Sequence, residues 1–148
     1  MELIYSAIVL RKKELSFLAG AMGIKRLYGI LDSELPDDAE LYGIMSSLIR
    51  KGFVTPDGDS FVIDADIRRY IEIMEASEKP IFIYDSNGLR PPKCVYSSGD
   101  ISVICETCHA SEDELSVYEL GTNEAQRLIS SNGYTIKEGE QNDDTDRH

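Results

Sequence analysis

One short motif near the middle of the chain has spacing that could support chemistry. Cys105, Cys108 and His109 form the CxxCH pattern through which c-type haem is attached. Haem attachment requires export, and here the first cysteine falls in a predicted strand with no export signal upstream. Zinc is a second interpretation, with Cys94 as a further ligand, but a structural zinc site needs four ligands. Adjacent Cys108 and His109 also point to opposite sides of an extended chain. We therefore expect neither a metal nor another cofactor.

The remaining polar residues do not form a catalytic pattern. A thioredoxin-like CxxC opens a helix whose dipole lowers the thiol pKa, whereas this one follows a strand and precedes an acidic segment. The histidines, His109 and His148, have no spacing that predicts a nucleophile–base dyad. The carboxylates are scattered over loops and helix starts. We expect a protein that is not an enzyme and has no catalytic residues, and the sequence leaves open any redox role of its three cysteines, Cys94, Cys105 and Cys108.

The stretch from Asp37 to Asp64 has the clearest local pattern, a helix followed by a glycine and a hairpin. Its apolar residues recur at helical spacing and predict one inward face: Leu41, Ile44, Met45, Leu48 and Ile49. Asp37 and Glu40 have the spacing of a capping box, and Gly52 suits the residue after the helix. Residues 56–58, Pro-Asp-Gly, predict the hairpin turn. A helix followed by a short hairpin is typical of the second half of a winged helix.

The full pattern predicts an α+β fold in one compact unit. Residues 1–79 are expected to form a winged-helix-like helical lobe, and residues 80–134 an antiparallel β-meander with one C-terminal helix. Residues 135–148 are polar and acidic, and we expect a disordered tail. The predicted strands cover 3–10, 53–55, 60–63, 81–85, 93–97, 101–107 and 115–120. The predicted helices cover 14–22, 25–31 and 37–51, with two more capped by Asp64 or Asp66 and by Thr122.

The chain is acidic, with a net charge of −12. Residues 1–79 carry ten basic and fourteen acidic groups, and residues 80–148 carry five and thirteen. This charge repels phosphate backbones, so nucleic acid is disfavoured as a partner. No apolar run has the length of a membrane span and no signal peptide is visible. The sequence therefore predicts a cytoplasmic protein without a membrane segment.

The order of elements resembles that of one known family, the EspG-like chaperones of type VII (ESX) secretion. The similar segments are LIRKGFVTPDGDSFVIDADIRRYIEIM, the antiparallel meander after it, and VYELGTNEAQRLI. Together they extend over about residues 10–132. Members of the family are longer and have two related halves, of which this chain would supply the first. A homodimer would restore the second half, and the sequence leaves its existence open.

The resemblance implies a non-catalytic cytoplasmic chaperone or adaptor that holds a secreted protein client through its sheet edge and loops. The acidic surface would suit a basic client. The expected contact is the loop from Ser86 to Pro92, because an otherwise polar turn projects Leu89 and Arg90. Asn87, Leu89 and Arg90 are therefore the predicted partner-binding residues.

A winged-helix transcriptional regulator, with a second lobe that senses a ligand or partner, is the alternative. It predicts a basic surface on the helix that begins at Asp37, because this helix would face DNA. The first turn of that helix instead carries Asp38 and Glu40, and the hairpin turn carries Asp57 and Asp59. These charges favour the use of the module for protein contacts. A structural subunit of a larger assembly is a third interpretation.

Overall fold

The computed structural model describes residues 7–24, 37–108, 111–131 and 133–138. Within these ranges the fold is α+β, as predicted, and every strand pair is antiparallel. The elements in chain order are β1 (Ile8–Arg11), α1 (Lys12–Ala21), α2 (Asp38–Lys51), β2 (Val54–Asp57), β3 (Ser60–Ile63), α3 (Ala65–Ala76), β4 (Ile81–Asp85), β5 (Lys93–Ser98), β6 (Ile101–Cys108), β7 (Ser111–Gly121), α4 (Thr122–Ile129) and β8 (Tyr134–Glu138). None of these helices has the length and apolar character needed to cross a bilayer.

A six-stranded sheet in the order β1-β7-β6-β5-β4-β8 organises the molecule. The predicted meander is confirmed, since β4, β5, β6 and β7 are each neighbours of the next strand. Strand β1 pairs with β7, with Leu10 opposite Leu115. The first strand of the predicted N-terminal lobe thus belongs to the sheet of the predicted second lobe. The two predicted lobes share one sheet.

Each face of this sheet has its own apolar core, because alternate residues of a strand point to opposite faces. On the first face, Tyr96 and Val103 pack with the helices that precede the meander; their buried residues include Leu15, Leu18, Leu48, Ile71 and Met74. On the second face, Val95 and Ile104 pack against α4 through Ala125. Helices thus cover both faces of the sheet and leave its edges to the end strands.

The predicted start and end of α2 are confirmed. The Glu40 amide donates to Asp37 Oδ1 at 2.8 Å, and the Asp37 amide donates to Glu40 Oε1 at 3.2 Å. This is the reciprocal pair of a capping box. Gly52 ends the helix with φ of 80°, a left-handed conformation that disfavours residues with a Cβ. The hairpin of β2 and β3 is confirmed as well. The helical spacing of Ile67, Tyr70, Ile71 and Met74 predicts one inward face for α3, and all four residues are buried.

The predicted inward face of α2 is wrong at its margins. Ile44 and Leu48 are buried as expected, but Leu41 and Ile49 are exposed, while Ser47 is buried. The buried side of α2 faces α1, where Ser47 hydrogen-bonds the carboxylate of Glu14. The outer side leaves an apolar strip in solvent along α2, here named the α2 stripe and consisting of Leu41, Tyr42, Met45 and Ile49, in which Met45 is half-buried.

Three predicted boundaries near the C-terminus are corrected. Strand β7 begins at Ser111, so residues 111–114 lie in the strand that was predicted to follow them. Gly121, not Thr122, is the N-cap of α4, while the Thr122 hydroxyl donates to the Gly99 carbonyl at 2.8 Å. Residues 135–138 of the predicted tail belong to β8, which forms a backbone ladder with β4. Residues 139–148 and the predicted helix at 25–31 lie outside the described ranges.

Candidate functional site

Two of the cysteines are buried side by side in the first core. Cys94 pairs directly with Cys105 across β5 and β6, and both are free thiols. Burial raises the pKa of Cys94 to about 11 and that of Cys105 well above its ordinary value. A turn at Ser98-Gly99, which the sequence predicts, would place Cys94 opposite about Val103. Val103 instead pairs with Tyr96, because the hairpin turn lies one residue later. Protonated thiols in an apolar core act as small apolar side chains.

Metal chemistry finds no support in the parts of the chain that the structure describes. Over these ranges no three residues among His, Cys, Asp and Glu come close enough to hold an ion. The absence of metal, cofactor and catalytic function nevertheless stays a prediction.

The loop between β4 and β5 contains all three predicted site residues and is organised by a buried carboxylate. The Asp85 side chain is only 2 % exposed. Its Oδ1 accepts the Asn87 amide at 3.0 Å, and its Oδ2 accepts the amides of Leu89 and Arg90 at 3.1 and 2.9 Å. Three backbone donors therefore converge on one side chain, which fixes the course of the loop. We name residues 85–90 the Asp85 loop.

Arg90 closes the Asp85 loop from the other side. Its guanidinium donates from Nε to Asp85 Oδ2 at 3.2 Å and lies over the Tyr134 ring, 4.0 Å from the ring centroid. The Arg90 hydrogen bond, with the Asn87 and Arg90 amides, lowers the pKa of Asp85 to about 2. Gly133 has φ of 92°, and a Cβ there would lie 2.6 Å from Arg90 Nη2. Arg90 thus supports the loop from within.

The loop is also tied to the edge strand β8. The Ser86 amide donates to the Gly133 carbonyl at 2.7 Å, and the Ser86 and Thr135 hydroxyls are 2.9 Å apart. Strand β8 is the last strand of the sheet order and pairs with β4. Its second edge forms no ladder with any residue of the described ranges. The Asp85 loop therefore sits at one end of an available strand edge.

Three large apolar side chains are exposed in this region. Leu89 projects from the loop with 76 % of its surface exposed, and Tyr84 on β4 and Ile136 on β8 are exposed on opposite faces of the sheet. We name this region the β4–β8 corner: the Asp85 loop, Tyr84 and strand β8. The predicted site residues Asn87, Leu89 and Arg90 are all exposed, and Arg90 in addition binds Asp85 and lies over Tyr134.

Sequence reasoning missed the residues that support this loop. Asp85 had a local signal, because an aspartate before Ser-Asn-Gly is typical of a turn in which the carboxylate accepts backbone amides. Gly133 and Tyr134 had none, since they lie more than forty residues further along the chain and meet the loop only when β8 pairs with β4.

A second buried carboxylate joins α1 to α2. The Glu14 side chain has no exposed surface and accepts the Arg11 amide at 2.8 Å and Lys51 Nζ at 2.9 Å. Burial acts to raise the pKa of Glu14, but hydrogen bonds from Ser47, Arg11 and Lys51 outweigh it and keep the pKa below its ordinary value. An open pocket of about 470 Å³ lies beside this joint, lined by Arg11, Lys13, Glu40, Gly43, Ile44, Ser47, Arg50 and Asp113. Lys13 pairs with Glu40 across it.

Comparisons with known proteins do not assign the chain to a family. No protein-family model matches it, and no curated protein is significantly similar to it.

Proposed function

We propose that this protein is a non-catalytic adaptor or chaperone that holds a protein client at the β4–β8 corner. The observation that carries the proposal is Leu89, a large apolar side chain held in water by a loop whose backbone is fixed from beneath. An apolar side chain exposed on an ordered loop has already lost much of the conformational freedom that binding removes. Such a residue suits an anchor for a protein partner.

The neighbouring strand edge supplies the second half of the proposed contact. The unpaired groups of an edge strand can accept a strand from another protein, and this mode of binding derives its affinity from backbone hydrogen bonds. A client strand alongside β8 would pass Ile136 and reach the Asp85 loop at its end. In this proposal Leu89 and Asn87 contact the client, and Arg90 positions the loop.

In this proposal the protein acts in the cytoplasm on a secreted client, as the resemblance to EspG-like chaperones implies. Its net charge of −12 favours a basic client. The resemblance itself stays an expectation, and the binding role of the β4–β8 corner is supported by the loop geometry alone.

A DNA-binding regulator is the second candidate, favoured by the order of α2, β2, β3 and α3, which is that expected of a winged helix. The charges of α2 and of the β2–β3 hairpin argue against DNA binding. Asp38 and Glu40 are exposed in the first turn of α2, and Asp57 and Asp59 are exposed at the hairpin turn. Each would face phosphates in the usual docking of such a module. We therefore place this function second.

Affinity capture with matched variants tests the proposal. The tagged protein, its Leu89→Ser variant and its Val62→Ser variant are incubated with lysate of the source organism, and captured proteins are identified by mass spectrometry. Val62 is the control, because it is exposed to 54 % on the β2–β3 hairpin. We expect a specific protein that is captured by the parent and Val62→Ser and lost with Leu89→Ser.

The captured protein is then purified, and its affinity is measured for the parent protein and for the two variants. An affinity that Leu89→Ser leaves unchanged would contradict the proposal. Capture of DNA that disappears steeply as salt rises, with no protein dependent on Leu89, would favour the regulator instead.

A further inference from the structure

The α2 stripe is a second exposed apolar surface, distinct from the β4–β8 corner. Leu41, Met45 and Ile49 follow one another at intervals of four residues, and Tyr42 lies beside them with 77 % of its surface exposed. Eight residues of helix extend over about 12 Å. Exposed apolar residues in one row on a helix are typical of a contact surface rather than of isolated surface residues.

The charge near the stripe has one sign. Asp38 lies one turn before Tyr42, is exposed, and forms no ion pair with any residue in the described ranges. The cations of α2 are directed elsewhere, because Lys51 binds Glu14 and Arg50 lines the pocket on the other flank of the helix. The stripe therefore offers apolar contacts and a carboxylate that has no ion-pair partner among the described residues.

We propose that the α2 stripe binds an amphipathic helix of a partner protein, with a lysine or arginine of that helix paired to Asp38. An amphipathic helix has the same four-residue periodicity as the stripe and packs against it with a similar length. The positive charge of the ligand complements both Asp38 and the acidic chain as a whole.

A second copy of this chain suits the stripe less well. Two parallel copies of α2 would bring Asp38 against the Asp38 of the other copy. Two antiparallel copies would bring it to the C-terminal turn of the other helix, where the helix dipole is negative and the cations face away. The stripe is also short for the area that a stable dimer usually buries, about 1,200 Å² or more.

A model peptide tests the inference with the full-length protein. The probe is an amphipathic peptide of leucine and lysine, about 18 residues long so that it can form a stable helix. Its affinity is measured by fluorescence anisotropy for Tyr42→Ser and Asp38→Asn, beside two matched controls on the β2–β3 hairpin, Val62→Ser and Asp57→Asn. We expect Tyr42→Ser to weaken binding about tenfold and Asp38→Asn about threefold, and the controls to be neutral.

Two results would overturn the inference. Equal loss of affinity in the stripe variants and their hairpin controls would show attraction to an acidic surface only. A concentration-dependent dimer of the free protein that Tyr42→Ser dissociates, measured by light scattering, would show that a second copy occupies the stripe. The Leu89→Ser variant separates this inference from the proposed function, because it leaves peptide binding unchanged if the two surfaces are independent.

Discussion

The β4–β8 corner and the joint between α1 and α2 are each organised by a buried carboxylate, but the two carboxylates hold different kinds of structure. Asp85 receives its hydrogen bonds from Asn87, Leu89 and Arg90, all within five residues along the chain. Glu14 binds Lys51, which is 37 residues away and on another helix. The first carboxylate shapes one loop, and the second fastens two helices together.

This difference has a consequence for stability. A loop held by its own amides can loosen while the sheet beside it stays folded. A joint between two helices cannot loosen without exposing the core that they cover together. We therefore expect changes at Glu14 to alter the stability of the whole fold, and changes at Asp85 to alter mainly the order of the loop that presents Leu89.

The largest expected effect tests the joint. Glu14→Gln removes the charge that faces Lys51. It also places the donating NH2 group of glutamine beside the Arg11 amide and Lys51 Nζ, which are donors themselves. We expect the free energy of unfolding to fall by about 2 kcal/mol, measured by urea denaturation. Glu40→Gln is the matched control, because it removes the carboxylate of the exposed Lys13–Glu40 pair and keeps a residue suited to the capping box. Equal effects of the two substitutions would contradict the distinction between a buried joint and a surface ion pair.

A smaller effect is expected at the contact between the Asp85 loop and β8. Gly133→Ala places a Cβ 2.6 Å from Arg90 Nη2 at a backbone φ of 92°. We expect a loss of about 1 kcal/mol from the left-handed backbone, together with displacement of Arg90 from Tyr134 and faster hydrogen exchange of the Leu89 amide. Gly99→Ala is the control, since Gly99 has φ of 64° with open space around it.

Gly99→Ala should therefore show a similar loss of stability without any change at Leu89. If both variants leave hydrogen exchange of the Leu89 amide unaltered, Arg90 does not support the loop.

The smallest effect is a local response to acid. The pKa of Asp85 is lowered from 3.8 to about 2, so its contribution is complete above pH 3.8 and is lost as the pH falls through about 2. We expect the Asn87, Leu89 and Arg90 amide signals in NMR spectra to shift with a midpoint near pH 2. The shift should be absent in Asp85→Asn.

The amide of Val103 in the first core serves as the reference for this titration. If the Val103 amide signal shifts together with the amide signals of the Asp85 loop, acid unfolds the molecule as a whole, and the prediction of a local response is contradicted.

Local chemistry was predictable from the sequence wherever a few neighbouring residues decide the structure. The capping box of Asp37 and Glu40, the glycine at position 52 and the strands of the meander follow from propensities and short spacings. The position of the Asp85 loop between two strands followed from the same kind of signal. The contacts that order this loop did not, because Gly133 and Tyr134 lie at the start of β8, a strand with little apolar character.

Three features of the tertiary structure explain where the sequence predictions were wrong. The register of Cys94 depended on a turn that lies one residue later than expected, and a shift of one residue in a turn changes every pair of its hairpin. Strand β8 was predicted as part of the tail because it is polar, and it forms through its backbone ladder with β4. The exposure of Leu41 and Ile49 depended on which side of α2 packs against α1, and that side carries Ser47 at Glu14.

The sequence by itself determined the class of the fold, the start and end of α2 and the acidic charge that disfavours nucleic acid. Only the tertiary structure decided which apolar side chains stay in solvent. Periodicity places residues on a face, but whether that face meets a core depends on hydrogen bonds and packing with elements far away in the chain. In this protein Leu89 and the α2 stripe stay exposed, and these are the surfaces through which we propose that it binds its partners.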